Sequence, residues 1–111
     1  MMAVRMSKPW HTLSQEAAAA LPAQLGVYEI ADADGKTVAI RYAGGLTLFG
    51  LRQRIAEEAQ ARGPGFQFRV EVNQQYQSRW RELLMAYQAD HNGLPAENKQ
   101  DNMPLGVLSP A

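Results

Sequence analysis

Seven arginines stand between residues 41 and 81: Arg41, Arg52, Arg54, Arg62, Arg69, Arg79 and Arg81. Only Glu57, Glu58 and Glu71 oppose them, a local net charge of +4. A guanidinium presents a planar fork of donors that suits two-point contact with a phosphate, so the chemistry this segment offers is anion recognition. The plain alternative is a solvated basic surface. Just upstream, "LGVYEIADADGKTVAIRYAGG" carries Tyr28 and Tyr42, one in each strand of an expected hairpin. Each tyrosine is either a core aromatic pinning a small sheet or a hydroxyl directed at a phosphodiester.

The rest of the chain does not share this charge. All 111 residues together hold 11 basic and 11 acidic side chains, with net −1 over residues 1–40 and −3 over residues 82–111. Cysteine is absent, which excludes disulfides and thiolate metal sites. The opening "MMAVRMSKPWHTLSQ" has basic residues with no apolar run behind them, and Ala17 to Ala20 is far too short to span a bilayer. The expectation is a cytoplasmic, single-domain protein with no membrane partner.

The elements that must position these residues follow from spacing. Thr12 and Gln15 have capping-box spacing, which predicts a helix over about residues 13–21, stopped by Pro22. "GVYEI" reads as a strand with Val27 and Glu29 on one face and Tyr28 and Ile30 on the other. Asp34-Gly35 marks a hairpin turn, and "KTVAIRYA" places Val38, Ile40 and Tyr42 opposite Ala39 and Arg41. Thr47 is an expected N-cap for a helix from about Leu48, with Leu48, Leu51, Ile55 and Ala59 as its buried stripe. After Gly63-Pro64-Gly65, "FQFRVEV" alternates as a strand. Tyr76, Trp80, Leu83, Leu84 and Tyr87 then form one apolar helix face, closed by Asn92-Gly93 and Pro95. The remainder, rich in Pro, Asn and Gly, is expected to lie extended. The fold class expected is α+β: a small three-stranded, mostly antiparallel sheet flanked by helices, over residues 1–98, with a tail at 99–111.

Individual side chains divide between plain and functional readings. Arg52 has Ile55 and Ala56 at i+3 and i+4, so no local ion pair explains it, whereas Arg54 has Glu57 and Glu58 there. Glu82 lies roughly 140° from the centre of its helix's apolar stripe, at 100° per residue. Arg79, three residues earlier, is an available partner for it. His91 falls at the helix C-terminus, where it complements the dipole.

Gly26-Val27-Tyr28 on the first strand and Tyr42-Ala43-Gly44 on the second precede Arg52, a helical Glu82 and Asn98. In this order the chain resembles the GIY-YIG endonuclease superfamily over roughly residues 21–98. The resemblance implies Tyr28, Tyr42 and Arg52 as catalytic residues around a scissile phosphate. It implies Glu82 as ligand to one divalent metal, magnesium or manganese, and Asn98 as the terminal asparagine of the site. Arg41, Arg54, Arg69 and Asn98 would then contact nucleic acid. Such chemistry is coherent: a hard cation held by few carboxylates activates water, and an arginine stabilises charge on the phosphate.

The chain also departs from that pattern. Ala43 replaces a bulky motif residue, Gly45-Leu46 follows where a polar or basic residue is usual, and Ala56 stands where nucleases carry a histidine or tyrosine. Two functions therefore stand side by side. One is metal-dependent phosphodiester hydrolysis; the other is a non-catalytic module without cofactor, binding nucleic acid or a protein partner within a larger assembly.

Overall fold

A computed structural model describes residues 5–100. The chain runs β1 (His11–Thr12), α1 (Gln15–Ala19), β2 (Gly26–Ala31), β3 (Thr37–Ala43), α2 (Gly50–Arg62), β4 (Gln67–Val72), α3 (Tyr76–His91) and α4 (Ala96–Gln100). It is an α+β fold built on one antiparallel sheet of four strands in the order β1-β4-β2-β3. The strand bearing Gly26-Val27-Tyr28 is therefore internal, and the strand bearing Tyr42 lies at an edge. The sheet has one strand more than expected, because the two-residue β1 pairs with Gln67 and Phe68 of β4.

Strand alternation sends side chains to two covered faces. On one, Tyr28, Ile30, Ala39, Ala43 and Phe68 pack with Leu13, Ala18, Leu51 and Ile55 beneath α1 and α2. On the other, Val27 and Ile40 pack with Met6, Leu83 and Leu84, flanked by Tyr42, Tyr76, Trp80 and Tyr87. Val38 departs from the expected alternation. The register passes from Ile30↔Ala39 to Ala31↔Thr37, so Val38 is an extra residue at a bulge and packs toward the Tyr28 side. The hairpin turn is as expected. Asp32 accepts the backbone N–H groups of Asp34 and Lys36, and Gly35 takes a positive φ of 84°.

Helix boundaries differ in three places. Ser14, not Thr12, caps α1, its hydroxyl accepting the Ala17 N–H at 3.0 Å. The second helix starts at Gly50, and Leu48 is exposed rather than part of the buried stripe. Gly50 adopts φ +57° where the chain passes close to the Gln24 backbone, and Leu51 donates its N–H to the Gln24 carbonyl at 2.8 Å. That geometry begins the helix after Phe49, so Leu51 and Ile55 alone among the stripe are fully buried. Each contributes about 1.5–3 kcal/mol by burial. Third, residues 96–100 form a short helix where an extended segment was expected. The remainder of the expected tail, residues 101–111, lies outside the described residues.

α3 spans the expected stripe and ends at Asn92, whose left-handed φ of 56° closes the helix. Among the described residues no helix is long and apolar enough to cross a membrane.

Candidate functional site

Tyr28 and Tyr42 lie in adjacent strands but on opposite faces of the sheet. Tyr28 pairs across the strands with Arg41, Tyr42 with Val27, so their side chains alternate to opposite sides. The Tyr28 ring is buried, and its hydroxyl donates to Glu58 of α2 at 3.1 Å. Burial, then the Glu58 carboxylate, push this phenol further above its ordinary value, the reverse of what proton abstraction from water requires. Tyr42 instead sits in an aromatic cluster, its ring centre 5.3 Å from Tyr76 and 5.1 Å, edge-on, from Trp80.

The other expected site residues are spread between the two sides. Arg52 projects from α2 and donates Nε to the Leu21 carbonyl at 2.8 Å, tying the end of the α1 segment to α2. Glu82 projects from α3 across the sheet and pairs with Arg79. Arg79 also forks onto Glu71 at 2.8 Å. Tyr28 and Arg52 thus share one side of the sheet, Tyr42 and Glu82 the other. No group of three or more acidic, histidine or cysteine side chains suited to a metal ion occurs among the described residues. The geometry here gives Glu82 an arginine.

Asn98 is fully buried and does not reach a surface. Its Oδ1 accepts the Ile40 N–H at 2.8 Å and its Nδ2 donates to the Ile40 carbonyl at 2.9 Å. Ile40 lies on edge strand β3, so this one side chain supplies both hydrogen bonds that a neighbouring strand would make.

The arginine segment is largely consumed internally. Arg41 faces Glu58 and Glu97, each at 3.4 Å. Arg62 donates to Glu58 at 2.8 Å and two-point to Glu97 at 2.6 Å. The hydrogen bonds from Arg62 hold the Glu97 carboxyl below its ordinary value. Arg54 pairs with Glu57 at 3.0 Å, and Arg69 with Glu29 at 2.8 Å. The sequence places +4 in this segment; the fold brings Glu29, Glu82 and Glu97 to it from outside. An arginine already forked onto a carboxylate must break that pair to bind a phosphate.

The motif glycines have steric reasons. A Cβ on Gly26 would collide with the Glu71 carbonyl oxygen and stand 2.9 Å from Leu51 Cδ1, and one on Gly44 would stand 3.0 Å from the Tyr76 ring. Gly45 offers its N–H to the Tyr76 hydroxyl at 3.2 Å.

That contact anchors a loop that residue spacing alone does not reveal. Between β3 and α2, the loop Gly44–Phe49 carries Leu46 fully exposed, Leu48 80% exposed and Phe49 49% exposed. The loop is fixed despite its exposure. Thr47 bonds the Gly44 carbonyl through both N–H and hydroxyl, and the Gln53 side chain accepts the N–H groups of Leu48 and Phe49 at 3.0 and 3.2 Å. Val72, 45% exposed, stands at the same end of the sheet through its pairing with Gly26. The signal was the stripe itself, which counts Leu48 as buried unless Gly50 is known to begin the helix.

A family model described as a domain of unknown function (DUF7508) matches residues 4–90. The chain belongs to that family. The match takes in both motif tyrosines, the Gly44–Phe49 loop and most of α3, and it ends before Glu97 and Asn98. No curated protein and no solved structure matches the chain.

Proposed function

We propose that this domain is a non-catalytic, GIY-YIG-like binding module that docks on a protein partner through the Gly44–Phe49 loop. The observation that carries the reading is the exposure of Leu46, Leu48 and Phe49 on a loop hydrogen-bonded into one shape. Three neighbouring apolar side chains held in water favour removal from it. Burying a leucine or phenylalanine contributes about 1.5–3 kcal/mol each, and a preformed loop loses little conformational freedom on binding. Thr47 and Gln53, whose hydrogen bonds hold the loop, give the apolar centre a polar margin, as protein interfaces have.

A protein is favoured over nucleic acid because Arg41, Arg54, Arg62, Arg69 and Arg79 already hold carboxylates. Hydrolysis is disfavoured because Tyr28 with Arg52 and Tyr42 with Glu82 occupy opposite sides of the sheet. The test is fluorescence anisotropy with labelled single- and double-stranded DNA and RNA at about 50 mM and 200 mM salt, with magnesium or manganese. The same samples are resolved on gels for cleavage. The expected result is neither binding nor cleavage. Affinity that falls steeply with salt would reveal phosphate contacts and overturn the protein-docking reading; cleavage lost in Glu82→Ala would restore the nuclease.

A further inference from the structure

A cleft of about 550 Å³ opens at the other end of the sheet, between α3, the segment around Met6 and Trp10, and the closed end of the β2–β3 hairpin. That volume is within the range that holds small molecules. Its apolar lining is Met6, Ile40, Leu83 and Ala86. Glu29 stands in it, nearly fully buried, with both oxygens occupied: Arg69 donates to Oε1 at 2.8 Å and the Thr37 hydroxyl to Oε2 at 2.5 Å. Arg69 also lies 4.3 Å over the Trp10 ring. Glu29 therefore has its counter-charge and calls for no cation.

At the rim, Arg5 and Asp90 satisfy each other at 2.6 Å. The Trp10 indole N–H and the His91 ring, stacked 4.0 Å from the Tyr87 ring, make no hydrogen bond among the described residues, and neither do the Lys36 ammonium and the Tyr87 hydroxyl. The last two favour an anion: one is a cation, the other a hydrogen-bond donor. With Arg5, Lys36 and Arg69 against Glu29 and Asp90, the lining carries a net charge of +1, His91 not counted. We propose that this cleft binds a small apolar monocarboxylate, its body against Ile40, Leu83 and Ala86 and its carboxylate between Lys36 and the Tyr87 hydroxyl.

The site is independent of the docking loop, which lies beyond the Gly26–Ala43 end of the same strands. The probes are 2-naphthylacetate and its uncharged amide, matched in shape, titrated into ¹⁵N-labelled full-length protein and followed by amide shifts. Saturable shifts are expected at Lys36, Thr37, Ala86 and Tyr87, with the acid binding roughly three- to fivefold tighter than the amide, the scale of one partly exposed ion pair. Lys36→Gln, an exposed turn position, should erase that preference and leave the amide's affinity unchanged. Equal affinities for the two probes in the unaltered protein would overturn the proposal, as would shifts elsewhere or none at all. A preference for the acid that survives Lys36→Gln would overturn it too.

Discussion

Replacing Asn98 by alanine separates a structural amide from one that touches a ligand. Asn98 is fully buried, and its side chain closes both backbone groups of Ile40 on edge strand β3. In Asn98→Ala the Ile40 carbonyl keeps the Trp80 indole N–H at 2.8 Å. The Ile40 N–H keeps nothing in the described contacts. A buried donor left unpaired costs about 1–3 kcal/mol, and the small void left by the amide adds about 1 kcal/mol. The total is about 3 kcal/mol, which for a domain of this size lowers Tm by roughly 10–15 °C. Urea and thermal unfolding followed by circular dichroism measure it. Asn98→Asp keeps an acceptor but turns a carboxylate toward the Ile40 carbonyl, so it should be at least as damaging at neutral pH. A loss below about 1 kcal/mol in Asn98→Ala would refute the reasoning and return Asn98 to the ligand-contacting role that the family resemblance implies.

Other outcomes follow from the same contacts. Gly26→Ala drives a methyl into the Glu71 carbonyl and the Leu51 side chain, so stability should fall by about 2–3 kcal/mol in denaturant melts. Tyr28→Phe removes one hydrogen bond to Glu58 and should cost only about 1 kcal/mol, with the thermal transition otherwise unchanged. Arg62 holds the Glu97 carboxyl below its ordinary value of 4.5. The folded form therefore binds that proton less readily than the unfolded chain. Its contribution is present above about pH 4.5 and is lost as pH falls through the lower folded value. Melts from pH 6 downward should show Tm dropping below pH 4.5, and Arg62→Gln should flatten that drop while lowering Tm at pH 6.

The sequence carried the local order of the fold further than its site. The hairpin was legible because Asp34-Gly35 is a turn signal flanked by two alternating runs, and α3 because Tyr76, Trp80, Leu83, Leu84 and Tyr87 keep helical spacing over its length. A two-residue strand such as β1 has too few positions to show alternation, and α4 is one turn of ordinary polar residues. Periodicity alone extends the buried stripe one turn too far, to Leu48, past the backbone contact with Gln24. The arginines show the larger difficulty. Pairing at i+3 or i+4 finds Arg54 with Glu57 and Arg79 with Glu82, but Glu97 lies 35 residues from Arg62 and Glu29 lies 40 from Arg69. Only the fold brings those charges together, and five of the seven arginines then hold carboxylates. The opposite facing of Tyr28 and Tyr42 depends on cross-strand register, which a motif quoted along the chain does not contain.

The most direct measurement places a photo-crosslinking side chain at position 48 of the full chain in cells, with position 60 on the exposed side of α2 as control. The expected result is one discrete protein adduct from position 48, absent from position 60 and abolished by Leu46→Asp in a variant whose melt is unchanged. Adducts equally from both positions, an adduct indifferent to Leu46→Asp, or crosslinking to nucleic acid would contradict docking through the Gly44–Phe49 loop.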